Sequence, residues 1–377
     1  KDQNEGGRVD LFESKLEPEH CRRIVNLPGI RVITRLVIYR VVGYASISMK
    51  YTAWGLVLVS VSSIFLALSV PGCSTRGTGP EDTESLAVTG VQLHIDESIY
   101  ASPGSFEAAM RHELEAICSA SGRVDLVVFP EYTSVFLAAA DYSRSIGRAD
   151  TFEEALEKIR VKNGDIDSLH SLFAGEADRV EKNLDRIWES LAREFDLFIA
   201  GGTYFRKVTG EAGESRLRNT LIVYGPEGRR IYEQDKVYLT DFEKTVIGLS
   251  PGIEEEAVPV RIDAFDVAFT ICRDSFFPSW NDNFDRAEVW ISIKANGVSF
   301  DQEARGNFRK ALPERIAESD VPYGMVVCLT GRFLDLFWEG ESSVLADAGE
   351  TVHVLKQSRT PWSGDTVSLT LPLEAIP

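Results

Sequence analysis

Cys272 ends the short apolar run 267–271 in "FDVAFTICRDSFFP", and the chain turns polar at once with Arg273, Asp274 and Ser275. A thiol at the end of a buried strand either fills the core or serves as a nucleophile. Its neighbours decide, because a base or a cation is needed to draw off its proton. Two other charged residues stand in comparable places. Glu131 follows the apolar "LVVFP", and Lys236 in "YEQDKVYL" follows a hairpin strand. Taken singly, Glu131 reads as a solvated strand end and Lys236 as a snorkelling lysine. Together they form an ordered set, Glu131, Lys236 and Cys272, each at the end of an expected strand.

Other chemistries lack their residues. The five cysteines, Cys21, Cys73, Cys118, Cys272 and Cys328, form no CxxC pair, which argues against a disulfide framework or a zinc site. His20, His94, His112, His170 and His353 are far apart. "RHELEA" (111–116) has no second histidine and reads as a solvated helix face. There is no phosphate-binding or dinucleotide glycine motif, and no metal or organic cofactor is required. The formal charge of −18 excludes nucleic acid as the main partner.

These residues need strands to end beside one another. From Leu86 onward the chain alternates strand and helix patterns. Strands are expected at 86–95, 124–132, 196–205, 267–272, 288–294, 323–331 and 342–355, with a hairpin over 219–239 turning at "GPEG". Helices are expected at 105–121, at 176–195, where Val180, Leu184, Ile187 and Leu191 share one face, and at 302–319 around Pro313. Residues 133–174 are irregular and long enough for a lid or a dimer contact. The alternation predicts an α/β domain with helices covering sheet faces.

The ordered stretches "VVFPEY", "EQDKVYL" and "FTICRDSFFP" resemble the nitrilase (carbon–nitrogen hydrolase) superfamily, amidase-like branch. "RIAESDVPYGMVVC" and "GESSVLADAGE" are lesser matches, and the resemblance covers 86–371. It implies a four-layer α-β-β-α sandwich with catalytic groups at strand ends and a homodimer or larger homo-oligomer. It implies that Glu131 is the general base, Lys236 the ammonium and Cys272 the nucleophile, cleaving the C–N bond of a small-molecule amide. Glu243 in "LTDFEK" matches the family's second glutamate. The backbone N–H of Arg273 matches an oxyanion donor, although arginine departs from the aromatic or acidic residue common there. "CRD" lacks the Trp-Glu pair of nitrile-cleaving members, which points to amides. Two alternatives are an N-acyltransferase using the same acyl-enzyme and a non-catalytic binding protein on the same scaffold. A Cys272 of lowered pKa would be alkylated fastest by iodoacetamide; Cys118 and Cys328 read as core.

Before the domain, 1–48 read as an unstructured upstream extension. "MKYTAWGLVLVSVSSIFLALSVPGC" (49–73) has signal-peptide layout. Its "SVPGC" ending resembles a bacterial lipobox, with Cys73 as the lipidated residue, although Pro71 departs from the usual small residue. The alternative is an uncleaved anchor, since the apolar run approaches the roughly 20 residues that span a bilayer. A polar linker (74–85) follows, then the hydrolase domain (86–377). Either reading tethers the domain to a membrane, outside the cytoplasm.

Overall fold

The computed structural model describes residues 85–372, apart from 121, 211 and 350. The extension, the leader or anchor and Cys73 lie outside the described residues. Among the described residues, no helix is long and apolar enough to cross a membrane.

Two six-stranded sheets form the centre. In the first, β1 (Ser85–Gln92), β3 (Leu126–Val128) and β4 (Phe198–Thr209) run parallel. They are flanked by antiparallel β15 (Asp365–Pro372) on one side and by β5 (Ser215–Tyr224) and β6 (Arg230–Asp235) on the other. In the second, β8 (Phe265–Ile271), β9 (Val289–Lys294) and β10 (Tyr323–Cys328) run parallel. Antiparallel β7 (Val260–Ile262) borders β8, and β13 (Ser343–Asp347) and β14 (Val352–Gln357) border β10. A three-stranded sheet of β2 (His94–Ile95), β11 (Thr330–Phe333) and β12 (Leu336–Trp338) stands apart.

The period-2 alternation of strand side chains builds the layers. Leu126 and Val128 of β3 meet Val267, Phe269 and Ile271 of β8 in one apolar cluster between the sheets. Gly90 belongs to this contact, because a Cβ there would fall 2.7 Å from Val327. The other face of β3, with Val127 and Phe129, packs on α1 (Pro103–Ala120) and α4 (Leu169–Phe195). Ser168 caps α4, and the buried stripe Val180, Leu184, Ile187 and Leu191 is the predicted one, extended N-terminally to Leu172 and Phe173. On the far side, Trp290 and Val326 pack on α5 (Trp280–Asn283) and α7 (Leu312–Ala317). The result is helix, sheet, sheet, helix, as expected. Strands buried on both faces read as unbroken apolar runs for this reason.

Three local expectations change. Residues 302–319 form two helices, α6 (Gln302–Arg309) and α7, because proline suits the first turn of a helix and not its interior. Residues 342–355 are the β13–β14 hairpin, turned at Gly349 with φ 85°. The irregular stretch after Thr133 contains a 3-10 helix (Val135–Tyr142) that is buried from Val135 to Ala140, α2 (Ser143–Ile146) and α3 (Phe152–Arg160).

Candidate active site

The C-terminal ends of β3, β6 and β8 converge, and each delivers one residue that the sequence singled out. In open α/β sheets this end of the strands is where ligands bind. Glu131 and Lys236 are 1 % exposed and Glu243 is fully buried, while Cys272 is partly exposed. Glu131, Lys236 and Cys272 line a cavity of about 420 Å³.

Lys236 is the hub. Its Nζ donates to Glu131 Oε1 at 2.7 Å and lies 2.8 Å from Glu243 Oε2. Asn219 Nδ2 bridges the same two carboxylates, at 2.9 Å to Glu131 and 3.1 Å to Glu243. The second oxygen of Glu131 accepts from the backbone N–H of Ala295 at 2.9 Å, and the Cys272 thiol lines the same cavity as this carboxylate. Glu243 is held further by Tyr132 Oη at 2.9 Å and the Thr240 N–H at 2.8 Å.

Backbone geometry at both strand ends is unusual. Cys272 has φ 52° and Tyr132, next to Glu131, has φ 64°. Non-glycine residues seldom adopt this left-handed region, and such strain gathers at functional sites. At the Glu131 turn, Gly202 has φ 70°, and a Cβ there would lie 2.2 Å from the Pro130 carbonyl oxygen. At the Cys272 turn, Asp274 is fully buried. Its carboxylate accepts from Tyr238 N at 2.7 Å, Val237 N at 3.2 Å and Ile271 N at 3.4 Å. Asp274 therefore ties the thiol-bearing turn to the segment that follows Lys236.

The charges settle as follows. Burial would strip Lys236 of its proton, but Glu131, the Cys272 sulfur and Glu243 hold its pKa above the ordinary value. Burial raises Glu131, against the pull of Lys236. For Glu243 burial is outweighed by Lys236 and the surrounding donors, and its pKa falls. Burial and the facing Glu131 push the Cys272 thiol up to about 12. The shift runs opposite to the lowered pKa expected of a reactive thiol.

A second lysine was not singled out. Lys294 ends β9 and is 2 % exposed. Its Nζ donates to the Cys272 carbonyl oxygen at 3.0 Å and to Ser275 Oγ at 2.8 Å. It sits 5.1 Å from the Phe276 ring centre and 5.2 Å from that of Phe308. Sequence reading also missed Asn219, Asp274 and Tyr132. Of the predicted residues, the Arg273 side chain is exposed to solvent and only its backbone belongs to the turn. Cys118 packs against the helix-face core, and Cys328 is buried at the end of β10.

No protein-family model matches this chain, and no curated protein matches it. Solved structures do. A carbon–nitrogen hydrolase from Helicobacter pylori G27 superposes with a TM-score of 0.56 at 13% identity, over 78% of this chain and 90% of that one. Saccharomyces cerevisiae Nit3, of branch 10 of the nitrilase superfamily, gives 0.51 at 18% identity, over 77% and 91%. An amidase from Nesterenkonia sp. gives 0.52 at 15%, over 77% and 92%. With its paired sheets, its outer helices and these matches, the chain has the fold of the nitrilase superfamily.

Proposed function

We propose that the protein hydrolyses the C–N bond of a small-molecule amide through a Cys272 thioester. The observation that carries this reading is the buried Glu131 carboxylate, fixed by Lys236, Asn219 and Ala295 N–H and lining the same cavity as the Cys272 thiol. An arrangement that leaves the carboxylate no other orientation suits a general base.

In this reading Glu131 takes the thiol proton as sulfur attacks the amide carbon. Lys236 stabilises the oxyanion that forms. The Arg273 N–H is the second donor. Its peptide carbonyl, that of Cys272, is taken by Lys294, and in a trans peptide the N–H points the opposite way. Glu131 gives its proton to the leaving nitrogen as the C–N bond breaks, and ammonia or an amine departs. Water then loses a proton to Glu131 and attacks the thioester. The C–S bond breaks, the thiol regains its proton and a carboxylic acid leaves. Glu243 keeps Lys236 charged and in place. Similarity supports a nucleophilic cysteine at this place in the fold: a mutant Nesterenkonia sp. AN1 amidase carries the acetamide moiety of fluoroacetamide on its active-site cysteine.

The test is an ammonia-release screen across aliphatic amides, ω-amides, carbamoyl-amino acids and nitriles. Ammonia and acid should appear in equal amounts with at least one amide, and Cys272→Ala should yield none. An active Cys272→Ala variant overturns the mechanism. The proposal includes a membrane tether through 49–73, with the domain outside the cytoplasm. Mass spectrometry of the mature protein tests it: a diacylglyceryl Cys73 at the N-terminus marks the lipoprotein, an intact start with membrane association marks the anchor, and a soluble cytosolic product excludes both.

A further inference from the structure

We infer that the substrate's acyl group is apolar and uncharged, and that the site rejects amides carrying a carboxylate. This rests on the amide-hydrolysis reading and names the substrate class of the same site. Beyond the reacting groups, the cavity walls are Phe242, Val298, Leu336, Phe337 and Trp338, with Tyr132 at the base. Trp338 is nearly buried, at 5 %, and packs on Tyr132 and Phe136, with ring centres 6.5 and 5.5 Å away. Trp338 thus brings the aromatic core to the cavity, while Phe242, Val298 and Phe337 present apolar surface that is partly open to solvent.

Charge decides the rest. Among the described residues lining the cavity, Lys236 is the only cation. It is already shared by two carboxylates, so it cannot also neutralise a third. Asp335, on the turn between β11 and β12, adds a negative charge at the mouth, held there as it accepts from Phe152 N at 2.8 Å. A substrate carboxylate would lose water against apolar side chains, find no free cation and face Asp335 and Glu131. A neutral alkyl or aryl group meets none of these penalties and gains by leaving water.

The test compares butyramide with succinamate, which has the same chain length and a terminal carboxylate. The expected kcat/KM for succinamate is lower by about a hundredfold or more, since an unpaired charge is being buried. Asp335→Lys should raise the succinamate-to-butyramide ratio about fivefold or more. Ligand-observed NMR on Cys272→Ala reads binding without turnover: butyramide should bind and succinamate should not. If wild type hydrolyses neither amide but Cys272→Ala still discriminates, the hydrolytic reading falls and the pocket assignment stands. Equal turnover or equal binding of the two compounds overturns the assignment, and so does binding of neither.

Discussion

Lys236 and Lys294 are both buried lysines near a strand end, and both charges bear on Cys272, yet they are held in opposite ways. Lys236 stands between two carboxylates that raise its pKa. Lys294 has a backbone carbonyl, a serine hydroxyl and two ring faces, and burial lowers its pKa. The difference separates a charge that the fold needs from one that it merely tolerates. Removing Lys236 leaves two buried carboxylates uncompensated; removing Lys294 leaves a carbonyl and a hydroxyl that still bond each other, Ser275 Oγ to Cys272 O at 2.9 Å. In the proposed mechanism, the lysine that touches the Cys272 peptide is therefore expected to act on reactivity more than on stability. By drawing on the Cys272 carbonyl it polarises the peptide whose N–H belongs to Arg273, which strengthens that donor.

The largest expected effect is at Lys236. Lys236→Met should lower amide turnover at least about a thousandfold and destabilise the domain by about 3–5 kcal/mol in urea unfolding, because a buried ion cluster loses one sign. Full stability in this variant would break the comparison. Lys294→Met is expected to lower kcat about tenfold with little change in KM, as a weakened transition-state donor does. Its unfolding free energy should stay within about 1 kcal/mol of wild type or rise, since methionine fits between Phe276 and Phe308 without a desolvated charge. Loss of stability similar to that of Lys236→Met would show that the two lysines are equivalent.

A subtler effect lies in pH. Glu131 must be ionised to accept the thiol proton, and burial raises its pKa, so the acid limb of kcat/KM should lie above the ordinary 4.5. Lys294 sheds its proton below the ordinary 10.5, so activity should fall on the alkaline side as that charge goes. Lys294→Met should flatten the alkaline limb and leave the acid limb in place; an unchanged alkaline limb assigns it to another group. The smallest effect is at Cys328. It lies close to Lys294 but outside the cavity, and Cys328→Ala should keep turnover within about threefold.

The layers and the three strand-end residues that meet at the cavity were legible because one signal serves both. A strand buried on two faces reads as an unbroken apolar run, and a charge or thiol at its end stands out. Lys294 carries the same signal in "EVWISIK"; it escaped only because the run was read as a strand and its last residue was not weighed. Asn219 and Asp274 were not legible. Asparagine within a strand and aspartate in a turn are ordinary until tertiary contacts bring two carboxylates to one and three N–H groups to the other. β15 alternates buried Val367 and Leu371 with exposed neighbours, a period-2 pattern that the sequence analysis did not assign. It pairs antiparallel with β1, far away in sequence, and that pairing is invisible to local reading.

The left-handed backbone at Cys272 has a consequence for selection and engineering. At φ 52° every residue with a Cβ is strained by about 1–2 kcal/mol, and glycine is not. Glycine ordinarily destabilises a chain relative to alanine, but here the order should invert: Cys272→Gly should melt a few degrees above Cys272→Ala. A population screened only for heat resistance would therefore drift toward glycine at this position and lose its thiol. Any campaign to harden the protein must hold position 272 under selection for turnover, because there stability and chemistry draw the sequence in opposite directions.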